Sequence, residues 1–473
     1  MKLIFVMAIF LLGVLIVSCS RPSTSFTLME FNIEDGGVLV SLDKVIEAIH
    51  TVNPDVVAIE EANGNMALLA EKLGWPYYDE RHQILSRHPL IDPSEGQGVY
   101  LFVEVAPNKV IAISNLHLPS DPYGPEKLQL GMSAKNVLEI ETSLRLPAIK
   151  QQLDLLPNLA KAGIPVFLTG DFNAPSHLDW QTPGKRYLIW PVSKALADAG
   201  FQDAYREVYP DVLSHPGFTW FADRPKVSGW NPSTEDLQER IDFIYVAGPA
   251  KTLKADIVGE INKPEVTYSV SPWPSDHRAI AACFALKPAT PPNYIAVNKR
   301  KIIPGETLQV RYHAPGKSGE KVAVSVADVA DIACQNNKDG HASFSTENWR
   351  PGNYEVMLKD AKNRILSRTN FYVKSHHSVT KLVLDKESYH PGEAIHVQWE
   401  NAPGNRFDWI IIKPKYSALN EKNILLSTKT HAHIDGNYTF LSEKHHLPRG
   451  HYEILYMIDD GFEVAEKVSF TIS

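Results

Sequence analysis

Two hydrophobic rhythms alternate along the first part of the chain. Residues 27–33 read as a strand, and residues 42–49 place apolar side chains at helical spacing. Residues 55–59 form a short apolar run of the kind that a buried strand needs. Further β runs fall at 110–116, 166–169 and 241–246, and residues 144–162 predict a helix interrupted by Pro147 and Pro157. Alternation of this kind predicts a strand-rich α/β domain with a layered sheet core. Pro288, Pro291 and Pro292 mark a linker, after which short strands and turns replace the helical pattern. Pro304-Gly305-Glu306 with Val310-Arg311-Tyr312 returns as Pro391-Gly392-Glu393 with Val397-Gln398-Trp399. Gly352-Asn353-Tyr354-Glu355 is echoed by Gly450-His451-Tyr452-Glu453, and each copy is read as closing on that strand. A repeat of roughly 90 residues with this texture predicts two all-β sandwich modules. Their expected limits are 287–376 and 377–473, the second of immunoglobulin-like character around Asp408-Trp409-Ile410.

The N-terminus has a different pattern. Lys2 precedes an unbroken apolar stretch over residues 3–17, followed by Ser18 and Cys19. This is the layout of an export signal, and it is short for a membrane-spanning helix of about 20 residues. Ile16-Val17-Ser18-Cys19 resembles the bacterial lipobox. The resemblance implies a signal peptide over 1–18, a lipid on Cys19, a tether over 19–25 and attachment to a membrane through that lipid. An exported bacterial lipoprotein at the outer membrane or cell surface, or facing the periplasm, is therefore expected.

Composition narrows the classes. The chain has 473 residues, 44% hydrophobic and 22% charged, which suits globular domains rather than disorder. The net charge of −8 lacks the basic excess of a dedicated nucleic-acid binder. Only three cysteines are present, Cys19, Cys283 and Cys334, too few for a disulfide framework or a zinc-ligand pattern.

Several apolar runs end in ionisable side chains. They are Phe31-Asn32-Ile33; Ala58-Ile59-Glu60-Glu61; Asn115-Leu116-His117; Gly170-Asp171-Phe172-Asn173; Arg240-Ile241-Asp242-Phe243-Ile244; and Ser275-Asp276-His277. Strand ends position loops rigidly, so active sites gather there. Carboxylates and amide oxygens suit hard cations, and histidine suits proton transfer near neutrality. Taken singly, Asn32 reads as a turn residue, Glu60 and Glu61 as a solvated strand end, and Gly170-Asp171-Phe172-Asn173 as a turn.

Their order is more specific. Asn, Pro-Asp-x-x-x-x-x-Glu, Asn-x-His, Gly-Asp-x-Asn, Arg-x-Asp-x-Ile and Ser-Asp-His, with Ile84-Leu85-Ser86-Arg87-His88-Pro89-Leu90 between, resembles the endonuclease/exonuclease/phosphatase superfamily over residues 26–286. The resemblance implies a four-layered α/β sandwich, two packed β-sheets flanked by helices. It also implies a divalent metal, Mg²⁺ first and Mn²⁺ or Ca²⁺ as alternatives. Asn32, Glu61 and Asp276 then belong to the metal site, Glu61 as direct ligand. Asp171 orients or deprotonates water, Asn173 positions it, His277 contacts the scissile phosphate with Asp242 as its acidic partner, and His117 is a second histidine for the leaving group. An acidic partner for His117 is sought within or near residues 73–99, with Glu95 and Glu104 as candidates.

The expected function is an exported metal-dependent phosphoesterase acting on phosphate mono- or diesters by in-line attack of water. The alternatives are an extracellular nuclease and a non-catalytic surface binding protein with a degenerate hydrolase domain. Acidic charge and a lipid anchor favour a lipid-derived or small phosphate ester over nucleic acid. The partner of the C-terminal modules is unknown. Residues 118–125 form either a substrate loop or a rigid turn, and Trp220, Trp230 and Trp273 line either a pocket or the core.

Overall fold

The structure, a computed structural model, describes residues 24–473 except 183–185, 230, 232–236, 315–320, 327–332, 337–339, 375–378, 406, 421–422, 431–432, 441–446 and 459–460. Cys19, the expected signal peptide, Trp230 and the junction between the two expected modules lie outside these residues. Among the described residues no helix is long and apolar enough to cross a membrane.

Residues 24–286 build two large sheets and a two-stranded one, Gln181–Thr182 with Arg186–Tyr187. The first has seven strands in the spatial order Val266–Ser269, Ala250–Gly259, Ala279–Leu286, Thr24–Asn32, Val56–Glu60, Ile84–Ser86, Tyr77–Asp79. The second has six, in the order Gln202–Asp203, Asp242–Ala247, Val166–Asp171, Lys109–His117, Leu101–Ala106, Leu90–Ile91. Side chains alternate across each strand, and that alternation sorts the core into three apolar layers. Met29, Phe31, Val57 and Ile59 face outward and meet Val45, Ile49 and Leu69 of the helices Leu42–Val52 and Met66–Leu73. Phe26, Leu28 and Val56 face inward and meet Ile111, Ile113, Phe167 and Ile244 of the second sheet. Beyond that sheet, Ala112, Val166 and Leu168 pack on Leu156, Val192 and Leu196 of the helices Lys150–Lys161 and Pro191–Asp198. Helix, sheet, sheet and helix give the layered α/β sandwich expected.

The helix predicted over 144–162 is two helices, Ala134–Ala148 and Lys150–Lys161, separated at Ile149. Ser133 caps the first by accepting from the Asn136 amide, and the interior Pro147 and Pro157 are accommodated. The early start escapes a hydrophobic reading because the exposed face of residues 134–143 carries little apolar periodicity.

Past residue 286 the chain forms two β units of matching topology. Tyr294–Val297, Thr307–His313 and His341–Ser345 make a three-stranded sheet that shares one core with a five-stranded sheet. The second unit repeats this with Lys381–Leu384, Ile395–Glu400 and Gly436–Phe440 against another five-stranded sheet. The two Gly-x-Tyr-Glu segments open the equivalent strands Gly352–Lys359 and Gly450–Met457. These are the penultimate strands of their units, not the closing ones, since Ile365–Val373 and Val464–Ile472 follow. The tyrosine hydroxyls of Tyr354 and Tyr452 each donate to the carbonyl four residues back, at Arg350 and Pro448.

The proline-marked linker is pinned rather than free. Ala289 pairs in both directions with Val110, near the start of the strand Lys109–His117 in the second sheet. Tyr294 and Ala296 join the apolar cluster under the second sheet, and Arg300–Asp92 at 2.6 Å and Arg311–Glu104 at 2.7 Å tie the first β unit to it.

One glycine controls the register of the second sheet. Gly170 pairs with Leu116 at φ +139°, and a Cβ there would lie 1.9 Å from the Leu116 carbonyl oxygen. Neither backbone can move without displacing His117 and Asp171, the next registered pair. Gly170→Ala should therefore lower stability by about 3 kcal/mol or more, the range of severe backbone and packing conflicts. Chemical denaturation of the variant tests this, and a loss below about 1 kcal/mol contradicts it.

Candidate active site

The face between the two sheets changes character toward one end of the strands. On the first sheet the inward series Phe26, Leu28 continues into Glu30 and Asn32, and Val56 continues into Glu60. On the second sheet Ile111 and Ile113 continue into Asn115 and His117, and Phe167 into Thr169 and Asp171. Ile244 and Val246 are preceded by Asp242 on the same face. His117, Asp171 and Asp242 lie side by side, one on each of three adjacent strands. The twofold alternation that builds the core thus also delivers a row of polar groups to its end.

Asp171 is the hub. Its carboxylate accepts from the Asn173 amide at 2.8 Å, from Asn173 Nδ2 at 3.2 Å and from Asn32 Nδ2 at 3.2 Å. His117 Nε2 lies 3.5 Å from it and His277 Nε2 3.7 Å from it. The other ring nitrogen of His277, Nδ1, meets both Asp242 oxygens at 3.0 and 3.1 Å. Asn173 is held in the left-handed region, and its Nδ2 also donates to the Leu118 carbonyl. Thr219 Oγ1 accepts from the amides of Ile241 and Asp242, and Ser275 Oγ links the His277 amide to the Asn32 carbonyl.

A second group lies next to it. Asn32 Nδ2 also reaches Glu61 Oε1 at 3.1 Å, and Glu61 Oε2 accepts from the Asp35 amide at 2.9 Å. Asp276 accepts from Trp220 Nε1 at 3.3 Å, and its amide donates to Glu34 at 3.1 Å. Arg224 closes on both oxygens of Glu34. All eight side chains named from the sequence, Asn32, Glu61, His117, Asp171, Asn173, Asp242, Asp276 and His277, are therefore brought together.

Some readings change. Glu60 is fully buried, not a solvated strand end, and it faces the equally buried Glu30 between the sheets. Glu95 and Glu104 do not serve His117. They bond Ser367 and Arg311 of the first β unit, and the carboxylate beside His117 is Asp171 itself. Arg240, which opens the Arg-x-Asp-x-Ile segment, has its guanidinium locked between Asp179 and Asp203. Trp273 belongs to the core, stacked on Phe31, whereas Trp220 stands at the site. Glu34 and Arg224 were missed. Glu34 ends an alternation that Asn32 begins, but Arg224 lies on an irregular segment with no periodic signal.

Burial and crowding raise the acids. Asp171 is pushed up to about 6 by burial and by Asp242, against the two histidines. Glu61 is pushed up to about 6 by burial, with Asp276 adding to it, and Glu34 up to about 7 by burial and Asp276, against Arg224. Glu60 rises to about 8 and Glu30 well above its usual range, chiefly by burial. Burial alone would lower His277, but Asp242, Asp171 and Asp276 overcome it and hold the ring well above its ordinary value.

Oxygen-rich, crowded carboxylates of this kind fit a hard divalent cation. Asp171, Asp242 and His277 place ligand atoms within 4.8 Å of one another and form one possible metal-binding group. An imidazole flanked by carboxylates at both nitrogens favours the protonated form, which cannot ligate, so Glu61, Asp276 and Asn32 offer the better-matched oxygen set.

The raised acids bind protons more tightly in the native protein than in the unfolded chain. Between about pH 4.5 and 8 the native state then holds more protons, so its stability falls as pH rises. His277, also raised, stabilises fully below about pH 6.5 and loses that contribution above its native value, which has the same sign. The metal-free protein should melt at a lower temperature at pH 8 than at pH 5.5, and added Mg²⁺ should raise the melting temperature more at pH 8. Calorimetry at both pH values tests this, and a melting temperature that climbs with pH contradicts it.

Residues 29–277 match the Endonuclease/Exonuclease/phosphatase family. An uncharacterized protein of Caenorhabditis elegans is 33% identical over 313 residues, spanning 58% of this chain and 98% of its own length. Among solved structures, an endonuclease/exonuclease/phosphatase from Beutenbergia cavernae aligns with 74% of this chain and 100% of its own at 16% identity and a TM-score of 0.35. Truncated TDP2 from Caenorhabditis elegans aligns with 55% of this chain and 97% of its own, at 20% identity and a TM-score of 0.34. A mannosyl-6-phosphatase from Bacteroides thetaiotaomicron aligns with 54% and 98%, at 14% identity and a TM-score of 0.31. With more than half of its length matched by the family and a relative aligned almost end to end, this chain belongs to the endonuclease/exonuclease/phosphatase family.

Proposed function

We propose that the protein is a metal-dependent hydrolase of phosphate mono- or diesters that works by direct attack of water on phosphorus. The observation that carries this reading is Asp171, a buried carboxylate fixed by Asn173 and Asn32 and flanked by two histidines. Its lifted proton affinity suits a general base near neutral pH. Asp171 takes the proton from water, and Asn173 sets the approach. His277, kept charged and oriented by Asp242, binds a phosphoryl oxygen and stabilises the charge that grows on it. His117 faces the departing oxygen and can hand it a proton. Asn32, Glu61 and Asp276 would hold a divalent cation, Mg²⁺ in the first instance, which would supply neutralisation of phosphoryl and leaving-group charge.

The substrate class follows from charge. A protein of net charge −8 whose site is dominated by carboxylates suits a small or lipid-derived ester better than a polyanionic nucleic acid. Export and lipid attachment at Cys19 belong to the same reading, with the two β units as immunoglobulin-like accessory modules carried beside the catalytic domain at a membrane surface.

His277→Ala and Asp171→Asn should each lower turnover by about 10²–10⁴-fold while the fold, followed by far-UV circular dichroism, stays intact, and Asp242→Asn by less, since it acts through His277. Glu61→Gln should raise the cation concentration needed for half activity. Kinetics on bis-p-nitrophenyl phosphate, sphingomyelin, phosphoinositides and plasmid DNA with Mg²⁺, Mn²⁺ or Ca²⁺ test the roles, and normal turnover in either of the first two variants ends the reading. Preferred cleavage of plasmid DNA would favour a nuclease instead.

Mass spectrometry of the mature N-terminus tests the anchor. Acylated Cys19 as first residue is expected, and an unmodified terminus elsewhere would refute lipidation.

A further inference from the structure

We propose that the second β unit helps to build the cation site: its turn at Gly461 acts through Asn63 and Asp35 to position Glu61. Gly461 and Asn63 are then positioning residues for the cation. This rests on the reading of Glu61 as a cation ligand and adds a source of cation affinity from outside the α/β domain.

The loop that carries Glu61 is clamped to the segment that follows Asn32. Glu61 Oε2 accepts from the Asp35 amide at 2.9 Å, and the Glu61 carbonyl accepts from the Gly36 amide at 2.7 Å. Asn63 Nδ2 donates to Asp35 Oδ1 at 3.0 Å, and Asn65 Nδ2 donates to the Gly36 carbonyl at 2.9 Å. The segment over 34–37 depends on these ties. Its four residues all have positive φ, between 50° and 77°. Glu34 and Asp35 carry a Cβ, and such residues keep this conformation only where their surroundings fix it. Loss of the Asn63 tie therefore frees the Asp35 amide to move off the Glu61 carboxylate.

Asn63 is fixed in turn from its other side. Its Oδ1 is closed off from solvent and meets no hydrogen-bond donor among the described residues. Gly461 sits against it. A Cβ on Gly461 would lie 2.1 Å from Asn63 Oδ1, 2.4 Å from Cγ and 2.6 Å from Nδ2. Only a glycine approaches so closely, and it fills the space into which the carboxamide would swing to leave Asp35. The turn is held by bonds of its own. The Gly461 amide donates to the Ile458 carbonyl at 2.9 Å, and Trp409 Nε1 donates to the Gly461 carbonyl at 3.2 Å. Phe462 packs on the apolar cluster of Ile411, Leu455 and Met457. A series of direct contacts thus runs from the core of the second β unit to Glu61. The plainer alternative is that Gly461 only packs on Asn63 and the β unit has no part in the site.

Two variants of the full chain separate these readings. Gly461 is outside the left-handed region, so its backbone accepts alanine, and the added methyl of Gly461→Ala must push the Asn63 carboxamide aside. Asn63→Ala removes that carboxamide directly. Mn²⁺ is titrated calorimetrically into the metal-free proteins, with far-UV circular dichroism confirming the fold. Each variant should bind Mn²⁺ about 10-fold more weakly than the wild type, the low end for groups that orient a metal ligand. The double variant should be no weaker than either single one, since both changes remove the same tie. Packing alone would lower the melting temperature of the cation-free protein and leave the Mn²⁺ affinity unchanged. Unchanged affinity in either folded variant, or losses that add in the double variant, overturn this inference and leave Glu61 as a ligand. A wild-type protein that binds no Mn²⁺ overturns the cation reading of Glu61 and this inference together.

Discussion

Keeping one carboxylate, Asp171, inside the closed end of a sheet sandwich is the constraint on which the rest of the α/β domain depends. A buried acid is unfavourable unless it is hydrogen-bonded and balanced by charge. Asn173 and Asn32 supply hydrogen bonds, and His117 and His277 supply the balance. Those residues come from different strands and loops, so the two sheets must be registered against each other to bring them together. Asn115 performs part of that registration, donating to the Ile59 carbonyl in the opposite sheet and accepting from Thr169. The Asn of the Asn-x-His segment is thus a tie between sheets, while the His two residues on belongs to the site.

Much of this was legible in the sequence, for a physical reason. Chemistry at strand ends leaves short signatures, an apolar run followed by Asn, Glu, His or Asp, and their order along the chain carries more information than any one of them. The alternation of strand and helix patterns predicted a layered α/β core, and the family resemblance implied the four layers. Less legible was which way side chains face. Glu60 and Glu61 are adjacent acids, yet Glu60 points into the core toward Glu30 while Glu61, at φ 58°, turns toward Asn32. A backbone that leaves the strand conformation between two identical residues has no hydrophobic signature. Arg224 and Glu34 depend on long-range contacts of irregular segments, which periodicity does not encode.

The two β units are more than appendages in the fold. The first closes over the edge of the second sheet through Tyr294, Arg300 and Arg311, so the proline-rich segment serves as a hinge of fixed geometry rather than a tether. Glu95 and Glu104 are used at that contact, which is why neither is available to His117. A turn of the second unit also touches the α/β domain, since a Cβ on Gly461 would lie 2.1 Å from Asn63 Oδ1. Asn63 in turn bonds Asp35, whose amide holds Glu61.

The central claim is that the crowded acids at the end of the sandwich share protons when alone and exchange them for one divalent cation. Calorimetric titration of Mn²⁺ into the metal-free protein at pH 6.5, repeated in two buffers of different ionisation enthalpy, measures both the binding and the protons released. The account predicts one cation per chain and a net release of protons, because Glu61 sits near 6 and Glu34 near 7 before the cation arrives. Absence of binding, or binding with no proton release, would contradict it.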